Sequence, residues 1–454
     1  MKYLDKLPFY NEAVLPVHFV RAGFWGMRYG WPAKKLRVIG VTGTNGKTTT
    51  AFLIWKMLNE AGRKAGLMTT VAWGTTKLNE QMTHMTTEKS AILNKRIRKI
   101  AESGAEFLVL EVTSHAMAQF RTLGIPIEVA VMTNVTHEHL DYHKTFRKYR
   151  DAKRKLFRKA KFGVINADDP SAAFFKSDVE EFITYGVKKG EIKAREIELK
   201  NSGVEYEVAI SGSSFLGARR AGPSSRAARA NARQRPARYP RKDFLNATSD
   251  ITIKTQIPGE FNVYNSLAAL CVGKRLGLSD EEIVRGIFAL ESVEGRMVTI
   301  REGQKFEAMI DYAHTPDAFE KLLPSMKEAT KGRLIVVFGS AGGHRDPSKR
   351  EPMGRIAGKY ADVVVLTEED DRDTPGEKIL EQIAVGARKS GKKDEVDLFK
   401  ILDRPEAILF ACRMAKKGDL VMFLGKGNEK TIERKDGAHK YYELTEVKKA
   451  IRKL

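Results

Sequence analysis

The sequence contains very little cysteine and no long uninterrupted hydrophobic run. Only Cys271 and Cys412 occur among 454 residues, far apart and outside any metal-ligand spacing, which excludes a disulfide framework and a zinc ribbon. The absence of an apolar run near bilayer length excludes a transmembrane segment. Acids and a proline interrupt the N-terminal stretch MKYLDKLPFYNEAVLP, where a signal peptide would be cleanly apolar. We therefore expect a cytoplasmic protein.

Acidic residues are missing from one basic stretch, residues 218–242. Its nine cationic side chains are Arg219, Arg220, Arg226, Arg229, Arg233, Arg235, Arg238, Arg241 and Lys242. Without these nine, the formal charge of +22 falls to +13, which suits a protein that handles phosphorylated, carboxylate-rich substrates. Residues 212–248 lack hydrophobic periodicity, so we expect a disordered Arg-rich insertion in a surface loop. An RNA-binding arm is the alternative interpretation of this segment.

A glycine-rich turn, VTGTNGKTTT, follows the apolar residues 38–41. Its glycines let backbone N–H groups converge on phosphate oxygens, and the helix-like AFLIWKMLNEAG behind it presents a positive N-terminus. Its spacing departs from G-x-x-x-x-G-K-[ST], because Val41 stands where the first glycine would be. We predict an ATP site in which Lys47 reaches the β- and γ-phosphates and Thr48 holds Mg²⁺. The predicted ATP contacts in this turn are Gly43, Thr44, Asn45, Gly46, Lys47, Thr48 and Thr49.

The chain is too long for one compact core, so we expect two or three domains. From Val38, β-branched runs such as RVIGV and FLVLEV alternate with amphipathic stretches, and a second such series follows Arg296. This alternation predicts βαβ units and mostly parallel sheets. We expect an α/β fold with a leader (residues 1–35), a central P-loop-type ATPase domain (residues 36–295) and a Rossmann-like C-terminal domain (residues 296–454).

The leader combines aromatic and arginine side chains. Between residues 15 and 31, Phe19 and Phe24 stand close to Arg21 and Arg28, a composition that could lie at a membrane surface. Packing against the ATPase domain is the favoured interpretation, and membrane-surface contact is the alternative.

The strand-like run FLVLEV has a carboxylate, Glu111, one residue before its end, and TSHAMAQFR follows the run. Glu111 thus lies where α/β sheets bind ligands, at the carboxyl end of a strand, which makes it a candidate Mg²⁺ ligand. A capping carboxylate is the alternative. Histidines 137, 139 and 143 occur in MTNVTHEHLDYH, but Mg²⁺ prefers oxygen ligands, so a zinc site is the weaker hypothesis.

Together these motifs resemble the Mur ligases, ATP-dependent amide-forming enzymes of peptidoglycan precursor synthesis, and especially the tripeptide synthetases among them. VTGTNGKTTT is that family's form of the phosphate loop, and the resemblance runs from about Leu36 to the C-terminus apart from the insertion. It implies ATP and Mg²⁺ as cofactors. Such ligases ordinarily begin with a domain for the uridine diphosphate end of the substrate, whereas residues 1–35 alone precede the ATPase domain here, so we leave uridine recognition open.

The resemblance also implies roles for residues around Glu111. The implied contacts to a muramoyl-peptide substrate are Thr86, Thr87, Thr113, Gln119 and Arg121. Glu88 stands where a proline usually follows the threonine pair. His139 matches a ligand of a second Mg²⁺, which leaves His137 and His143 as surface or structural residues. Lys153 falls where the family carries a carbamylated lysine, a modification that would create an anion able to hold metal.

Further contacts are implied beyond the ATPase motifs. Asn265 in GEFNVYNS resembles a nucleotide contact near the base, and Asp311 and His314 in DYAHTP resemble ribose and phosphate contacts. Arg296 in EGRM could cross the hinge to the γ-phosphate, where a cation would stabilise developing charge. The implied catalytic set is Lys47, Arg296, Lys153 and His139.

Three loops of the last domain match the family's amino-acid pocket at Arg345, Arg372, Gly425 and Glu429. Guanidinium groups bind carboxylates bidentately, and a glutamate can receive an ammonium. The run EDDR at residues 369–372 replaces the common Asp-Asn-Pro-Arg, and position 428 is Asn rather than His. The retained arginine favours diaminopimelate, although the extra acids leave lysine open.

We therefore predict a monomeric ligase that adds diaminopimelate or lysine to a UDP-N-acetylmuramoyl dipeptide through an acyl phosphate. The expected partners are these small molecules, with no specific nucleic acid. A folylpolyglutamate or poly-amino-acid ligase would share the phosphate turn, and a noncatalytic homologue or an RNA-binding protein acting through the Arg-rich segment also remains an alternative.

Overall fold

The computed structural model describes residues 14–81, 85–136, 138–200, 202–210, 251–343 and 345–454. The insertion predicted at residues 212–248 lies outside this described part of the chain, as do the start of the leader and His137.

Fourteen α-helices are present in the described ranges. They are α1 (Leu15–Arg28), α2 (Lys47–Glu60), α3 (Ser90–Glu102), α4 (Ser114–Ala118), α5 (Leu140–His143), α6 (Phe146–Phe157), α7 (Ala172–Lys176), α8 (Phe261–Leu276), α9 (Asp280–Phe288), α10 (Pro316–Ala329), α11 (Arg350–Tyr360), α12 (Gly376–Lys389), α13 (Arg404–Met414) and α14 (Glu443–Arg452). Short 3₁₀ turns cover Pro32–Lys35 and Pro347–Lys349.

The strands of the described ranges fall into three sheets. In chain order they are β1 (Arg37–Thr42), β2 (Ala65–Met68), β3 (Ala72–Gly74), β4 (Leu78–Glu80), β5 (Phe107–Glu111), β6 (Ile127–Met132), β7 (Ala160–Asn166), β8 (Phe182–Gly186), β9 (Ile192–Lys200), β10 (Gly203–Ile210), β11 (Ile251–Thr255), β12 (Val298–Ile300), β13 (Glu307–Asp311), β14 (Leu334–Phe338), β15 (Val363–Leu366), β16 (Leu398–Lys400), β17 (Leu420–Leu424), β18 (Thr431–Arg434) and β19 (Gly437–Lys440).

The first sheet has the order β11-β10-β9-β8-β7-β6-β1-β5-β2-β3-β4. Its central strands, from β9 across to β2, are parallel, and antiparallel strands extend both edges. The second sheet has the order β12-β13-β17-β14-β15-β16 and is parallel except at β12. Strands β18 and β19 form a hairpin. The predicted α/β fold with mostly parallel sheets is confirmed.

Parallel strands with both faces covered by helices bury nearly every side chain, which explains their continuous apolar runs. Strands β5 (FLVLE) and β14 (LIVVF) are buried along their whole length. Local signals fix helix starts as well: Ser279 and Glu282 form a capping box that begins α9. Because the carboxyl ends of parallel strands lie on one edge, the loops after β1, β5 and β6 meet there.

Helix α1 packs on the first sheet's flank through one face. Ala22 and Gly26 are buried, and a Cβ added at Gly26 would lie 2.3 Å from the Trp31 ring. The Phe19 ring meets Phe120 edge-on at 5.5 Å, and the helix also contacts α3. These contacts agree with the interpretation that the leader packs against the ATPase domain. Within the described ranges, every helix is too short or too polar to cross a membrane.

Candidate active site

The phosphate loop lies between β1 and α2 and is held by the loop that follows β6. Asn134 accepts the Thr44 backbone N–H at its carbonyl (2.8 Å) and the Asn45 backbone N–H at its side-chain oxygen (2.9 Å). Gly46 has a φ of +80°, and a Cβ there would lie 2.4 Å from Asn265 Oδ1. Both the backbone angle and this close approach therefore require glycine.

Lys47 is the first residue of α2, and its ammonium folds back over the loop to donate to the Thr44 carbonyl oxygen at 2.7 Å. Thr48 and Thr49 follow in the first helical turn and are buried. The predicted loop residues thus form one cradle at a helix N-terminus, an arrangement that binds phosphate.

Glu111, at the end of β5, faces this helix start. Its Oε2 atom accepts hydrogen bonds from Thr48 Oγ1 at 3.1 Å and from the Thr70 backbone N–H at 3.0 Å. The Thr70 hydroxyl lies 3.2 Å from the same oxygen and 2.9 Å from Thr86 Oγ1. The two strongest oxygen candidates for Mg²⁺, Thr48 and Glu111, are therefore adjacent.

The residues predicted to contact the muramoyl-peptide acceptor, Thr87, Thr113, Gln119 and Arg121, are connected by hydrogen bonds beside Glu111. We call these four residues the acceptor cluster. Thr87 donates to the Glu111 carbonyl oxygen (2.9 Å) and accepts from the Thr113 backbone N–H (3.0 Å). Arg121 donates to the Thr87 carbonyl oxygen (2.6 Å) and to Gln119 Oε1 (2.6 Å). Burial lowers the pKa of Arg121. The structure thus brings these residues together with the metal candidates.

Thr113 has a structural task that its motif alone did not indicate. Its Oγ1 atom accepts the Ala116 backbone N–H at 3.2 Å and so caps α4. A capping threonine can still present its hydroxyl proton to a ligand, because the cap uses only a lone pair of the oxygen.

Lys153 lies beneath the phosphate loop. Its side chain is 2% exposed and donates to the Gly43 carbonyl oxygen at 2.6 Å. Burial, with a smaller contribution from the charge of Lys47, holds the pKa of Lys153 well below its usual value. The Tyr149 ring lies 4.5 Å from Lys153 Nζ and 6.0 Å from the His139 ring, so Lys153 and His139 share one neighbour.

The remaining histidine of the motif behaves as a structural residue. His143 is buried, and its Nε2 atom lies 2.9 Å from Ser114 Oγ. Across the described part of the chain, no three His, Cys, Asp or Glu side chains are grouped closely enough to hold a metal ion. The oxygens of Thr48 and Glu111 thus remain the metal candidates with direct geometric support.

Asn265 supports the phosphate loop from α8. Its Oδ1 atom accepts from Thr50 Oγ1 at 3.1 Å, and its Nδ2 atom donates to Asn262 Oδ1 at 2.8 Å. The side chain is 3% exposed, so in this structure it braces the start of α2.

Arg296, Asp311 and His314 surround the junction between the two sheets. The Arg296 guanidinium lies 4.4 Å from the Tyr312 ring centre. Asp311 accepts the backbone N–H groups of Met297 (3.0 Å) and Ala313 (2.8 Å), and burial raises its pKa.

The His314 imidazole lies against the Tyr312 carbonyl oxygen, with 2.7 Å between Nδ1 and that oxygen. Burial and the nearby charge of Lys349 lower its pKa to about 4, so the ring is neutral at physiological pH. A neutral ring can donate or accept one hydrogen bond at a ligand but adds no positive charge.

A direct contact joins the two halves at the phosphate loop. Asn45 Nδ2 donates to Asp317 Oδ2, at the first turn of α10, over 2.6 Å. The two residues are 272 positions apart in sequence, so this contact depends on the arrangement of the two sheets.

The predicted amino-acid loops gather at the carboxyl ends of β14, β15 and β17. Glu429 accepts from Tyr312 OH at 3.1 Å and from the buried ammonium of Lys426 at 2.5 Å. Lys426 also pairs with Asp370 at 2.8 Å. Gly425 has a φ of +103°, and a Cβ there would lie 2.8 Å from Glu369 Oε2.

The arginines of this region differ in exposure. Arg345 is exposed, whereas Arg372 is half-buried and its Nη2 atom lies 3.6 Å from Asp370 Oδ2. Glu369 Oε2 and Asp371 Oδ1 are buried and accept no hydrogen bond from any residue that the structure describes. Two carboxylate oxygens therefore remain to receive donors from a ligand.

Asp371 should make stability depend on pH. Burial, reinforced by the charges of Glu368 and Glu369, raises its pKa from 3.8 to about 6. The folded chain binds the proton of the Asp371 carboxyl group more tightly than the unfolded chain does. The stability that the protonated carboxyl group contributes is therefore fully present below pH 4 and is lost as pH rises through about 6.

We expect Asp371→Asn, which stays neutral, to raise the free energy of unfolding near pH 7 by about 1–2 kcal/mol, with solvent screening included, and to have little effect near pH 4. Urea unfolding at both pH values measures this difference. Asp373→Asn, at an exposed neighbouring position, is the control. A variant less stable than wild type near pH 7 would contradict the prediction.

Six residues that contribute to this site were not predicted from the sequence. They are Thr70, Asn134, Tyr149, Asp317, Lys349 and Lys426. Asn134 comes two residues after β6, and polar residues just beyond the carboxyl ends of parallel strands gather at one sheet edge, so its position was the available signal. The others act through tertiary contacts without a local pattern.

Two family profiles match this sequence. The Mur ligase middle domain matches residues 41–273, and the Mur ligase glutamate ligase domain matches residues 295–427. With the phosphate cradle at a helix N-terminus and two mostly parallel sheets, these matches define an ATP-dependent ligase. The chain belongs to the Mur ligase family, which confirms the resemblance found in its motifs.

Within this family, the chain is similar to ligases that add the third amino acid of the peptide. The UDP-N-acetylmuramyl-tripeptide synthetase of Deinococcus radiodurans is 35% identical over 427 residues, which cover 93% of this chain and 79% of the relative. The UDP-N-acetylmuramoyl-L-alanyl-D-glutamate--2,6-diaminopimelate ligase of Geobacillus kaustophilus is 36% identical over 414 residues, which cover 88% and 76%. A solved diaminopimelate ligase structure is 29% identical, has a TM-score of 0.62, and is matched over 96% of this chain and 83% of its own.

Proposed function

We propose that this Mur ligase adds an amino acid to a UDP-N-acetylmuramoyl dipeptide. The observation that carries the proposal is the convergence on Glu111: its carboxylate contacts Thr48 of the phosphate loop, and its backbone carbonyl contacts Thr87 of the acceptor cluster. Glu111 therefore contacts both the loop suited to bind the nucleotide and a residue suited to bind the acceptor peptide. The names of the relatives support the same substrate.

In the proposed reaction an acceptor carboxylate oxygen attacks the γ-phosphorus of ATP, and ADP leaves. Lys47 and Arg296 counter the negative charge during this transfer, which depends on positioning and electrostatics. The amine of the incoming amino acid then attacks the acyl carbon, forms the amide, releases a proton and expels phosphate. We assign nucleotide and acceptor binding to residues 36–295 and amino-acid binding to residues 296–454.

Mg²⁺ fits the residues present. A threonine hydroxyl and a carboxylate, side by side at Thr48 and Glu111, are the hard oxygen donors that this ion prefers. When bound, the ion would neutralise phosphate charge and orient the transferring group. His139 remains a proposed second ligand on the strength of the family resemblance.

Lys153 is proposed to carry a carbamate. Its buried amine, with a lowered pKa, has a larger neutral fraction than an ordinary lysine, and only the neutral amine can attack carbon dioxide. The new N–C bond forms as one C–O π bond breaks, and the nitrogen releases a proton. The product is an anion beneath the phosphate loop.

With ¹³C-bicarbonate, we expect a carbamate NMR signal in wild type that disappears in Lys153→Met. Lys159→Met is a matched control, because burial also lowers the pKa of Lys159. The signal should persist in this control. A wild-type spectrum without a carbamate signal, or a signal unchanged by Lys153→Met, would refute the modification.

Diaminopimelate is the proposed amino acid. Arg372 supplies a cation for a distal carboxylate, and the hydrogen-bond acceptors left at Glu369 and Asp371 suit the ammonium groups of a diamino acid. Lysine is the second candidate, because it offers the same ammonium groups without the distal carboxylate.

An ADP-release assay tests the function. Purified protein receives ATP, Mg²⁺, UDP-N-acetylmuramoyl dipeptide and, in separate reactions, diaminopimelate, lysine, ornithine or alanine. We expect ADP release that requires the dipeptide and is fastest with diaminopimelate. Equal ADP release without the dipeptide would overturn the assignment. So would ADP release that requires a folate or poly-amino-acid acceptor instead of the dipeptide.

A further inference from the structure

Helix α1 carries an exposed apolar stripe on the side opposite its packed face. Val17, Val20, Phe24 and Met27 are 63%, 69%, 54% and 65% exposed, and their spacing of three, four and three residues places them on one helix face. Eleven large hydrophobic side chains are exposed in the described part of the chain, and five of them lie on this helix. Such a concentration marks an interaction surface rather than scattered exposure.

The charge around the stripe is mainly positive. Residues 14–36 contain two arginines and two lysines but no acid, and the four cations, Arg21, Arg28, Lys34 and Lys35, are all exposed. The adjacent helix α3 adds the exposed Lys95 and Lys99, and its exposed acid, Glu102, is paired with Arg98 at 2.7 Å. A surface that joins an apolar stripe to cations is complementary to an anionic lipid surface.

The packed face holds the stripe in place. Ala22 and Gly26 are buried, and the Trp31 ring fills the space where a Cβ at Gly26 or Gly124 would stand. The stripe therefore projects outward from a fixed base, so binding would not require the helix to fold or turn first.

We propose that α1 docks on the surface of an anionic lipid bilayer, with the stripe Val17, Val20, Phe24 and Met27 inserted at the interface and the cations at the headgroups. The helix has 14 residues, and two arginines lie within it, so it would rest in the plane of the membrane. The complementary charge favours this partner over a second copy of the same basic chain.

Helix α1 lies next to the acceptor cluster, so, if the proposed function holds, docking would also place the acceptor site near the membrane. The Phe19 ring contacts Phe120, which lies between Gln119 and Arg121 of the acceptor cluster. His18 is close enough to Arg121 for that charge to contribute, after burial, to a lowered His18 pKa. Docking would hold the acceptor-binding loop beside the bilayer.

Vesicle co-sedimentation tests the docking. The full chain is mixed with phosphatidylcholine vesicles, with or without phosphatidylglycerol, at low and high salt. We expect binding to the anionic vesicles that weakens as salt rises. The double variant Val20→Glu/Phe24→Glu should lower the partition coefficient about tenfold or more, because it places charge in the stripe. Replacing Arg21 and Arg28 with Gln should lower it about twenty-fivefold, since each cation near the surface contributes about fivefold.

Phe288→Glu is the matched control, because Phe288 is 49% exposed on the distant helix α9. The nine cations of residues 218–242 could bind anionic lipid independently, but every variant retains them. The comparison between the stripe variant and Phe288→Glu therefore isolates α1. Thermal unfolding and ADP release with a water-soluble acceptor should be unchanged in both.

Equal vesicle binding by the stripe variant and Phe288→Glu would overturn the proposal, as would failure of wild type to bind anionic vesicles. Vesicle-free sedimentation that shows a dimer abolished by Val20→Glu/Phe24→Glu would assign the stripe to a second copy instead. Because the readout is lipid binding, a negative result leaves the ligase assignment standing, and loss of ligase activity leaves the docking result standing.

Discussion

Lys47→Ala should lower kcat by about a hundred- to a thousandfold, the cost of removing a preorganised cation from a developing anion. In the structure the ammonium folds over the phosphate loop and donates to the Thr44 carbonyl oxygen at 2.7 Å, a neutral acceptor that an anionic phosphate can displace. Steady-state ADP release and calorimetric titration with ATP measure the loss of turnover and of nucleotide affinity.

Lys56→Ala is the control for this change. Lys56 lies on the same helix but pairs with Glu60 at 2.7 Å, so its loss should leave both quantities within about twofold of wild type. If Lys47→Ala retained wild-type turnover, the phosphate loop would have no part in the chemistry.

Glu111→Gln should lower kcat about a hundredfold or more and raise the Mg²⁺ concentration that gives half-maximal activity. The amide oxygen of glutamine can still accept from Thr48 and Thr70, so the fold around the site should persist while the negative charge is lost. A Mg²⁺ titration of ADP release, with thermal unfolding alongside, separates these effects.

Glu128→Gln provides the matched control, since Glu128 lies on β6 and pairs with Arg37. It should leave the Mg²⁺ dependence unchanged. The same Mg²⁺ dependence in Glu111→Gln as in wild type would reduce Glu111 to the capping carboxylate that its strand-end position also permits.

The sequence was sufficient to predict the parallel cores of both sheets, because strands buried on both faces have continuous apolar runs such as LIVVF. The strands toward the edges of the sheets were not foreseen. Strand β9, IKAREIELK, is half-exposed and rich in charge, and the three-residue strands β3, β4 and β12 are too short to show a period.

The site was predictable where its chemistry lies in one local motif. The glycine spacing indicated the phosphate loop, and a carboxylate at a strand end indicated Glu111. Asn134 and Asp317 were not predicted, because they reach Asn45 across 89 and 272 residues of sequence. Similarly, nothing in the run EDDR indicated that Asp370 pairs with Lys426, whereas Glu369 and Asp371 keep oxygens without a donor among the described residues.

The central claim is that ATP phosphorylates the acceptor carboxylate before an amine displaces the phosphate. Acceptor labelled with oxygen-18 in its terminal carboxylate tests this directly, because the attacking oxygen stays on phosphorus when the acyl carbon accepts the amine. Mass spectrometry of the released phosphate should find one labelled oxygen for each amide formed. Unlabelled phosphate, formed alongside the amide product, would contradict the account.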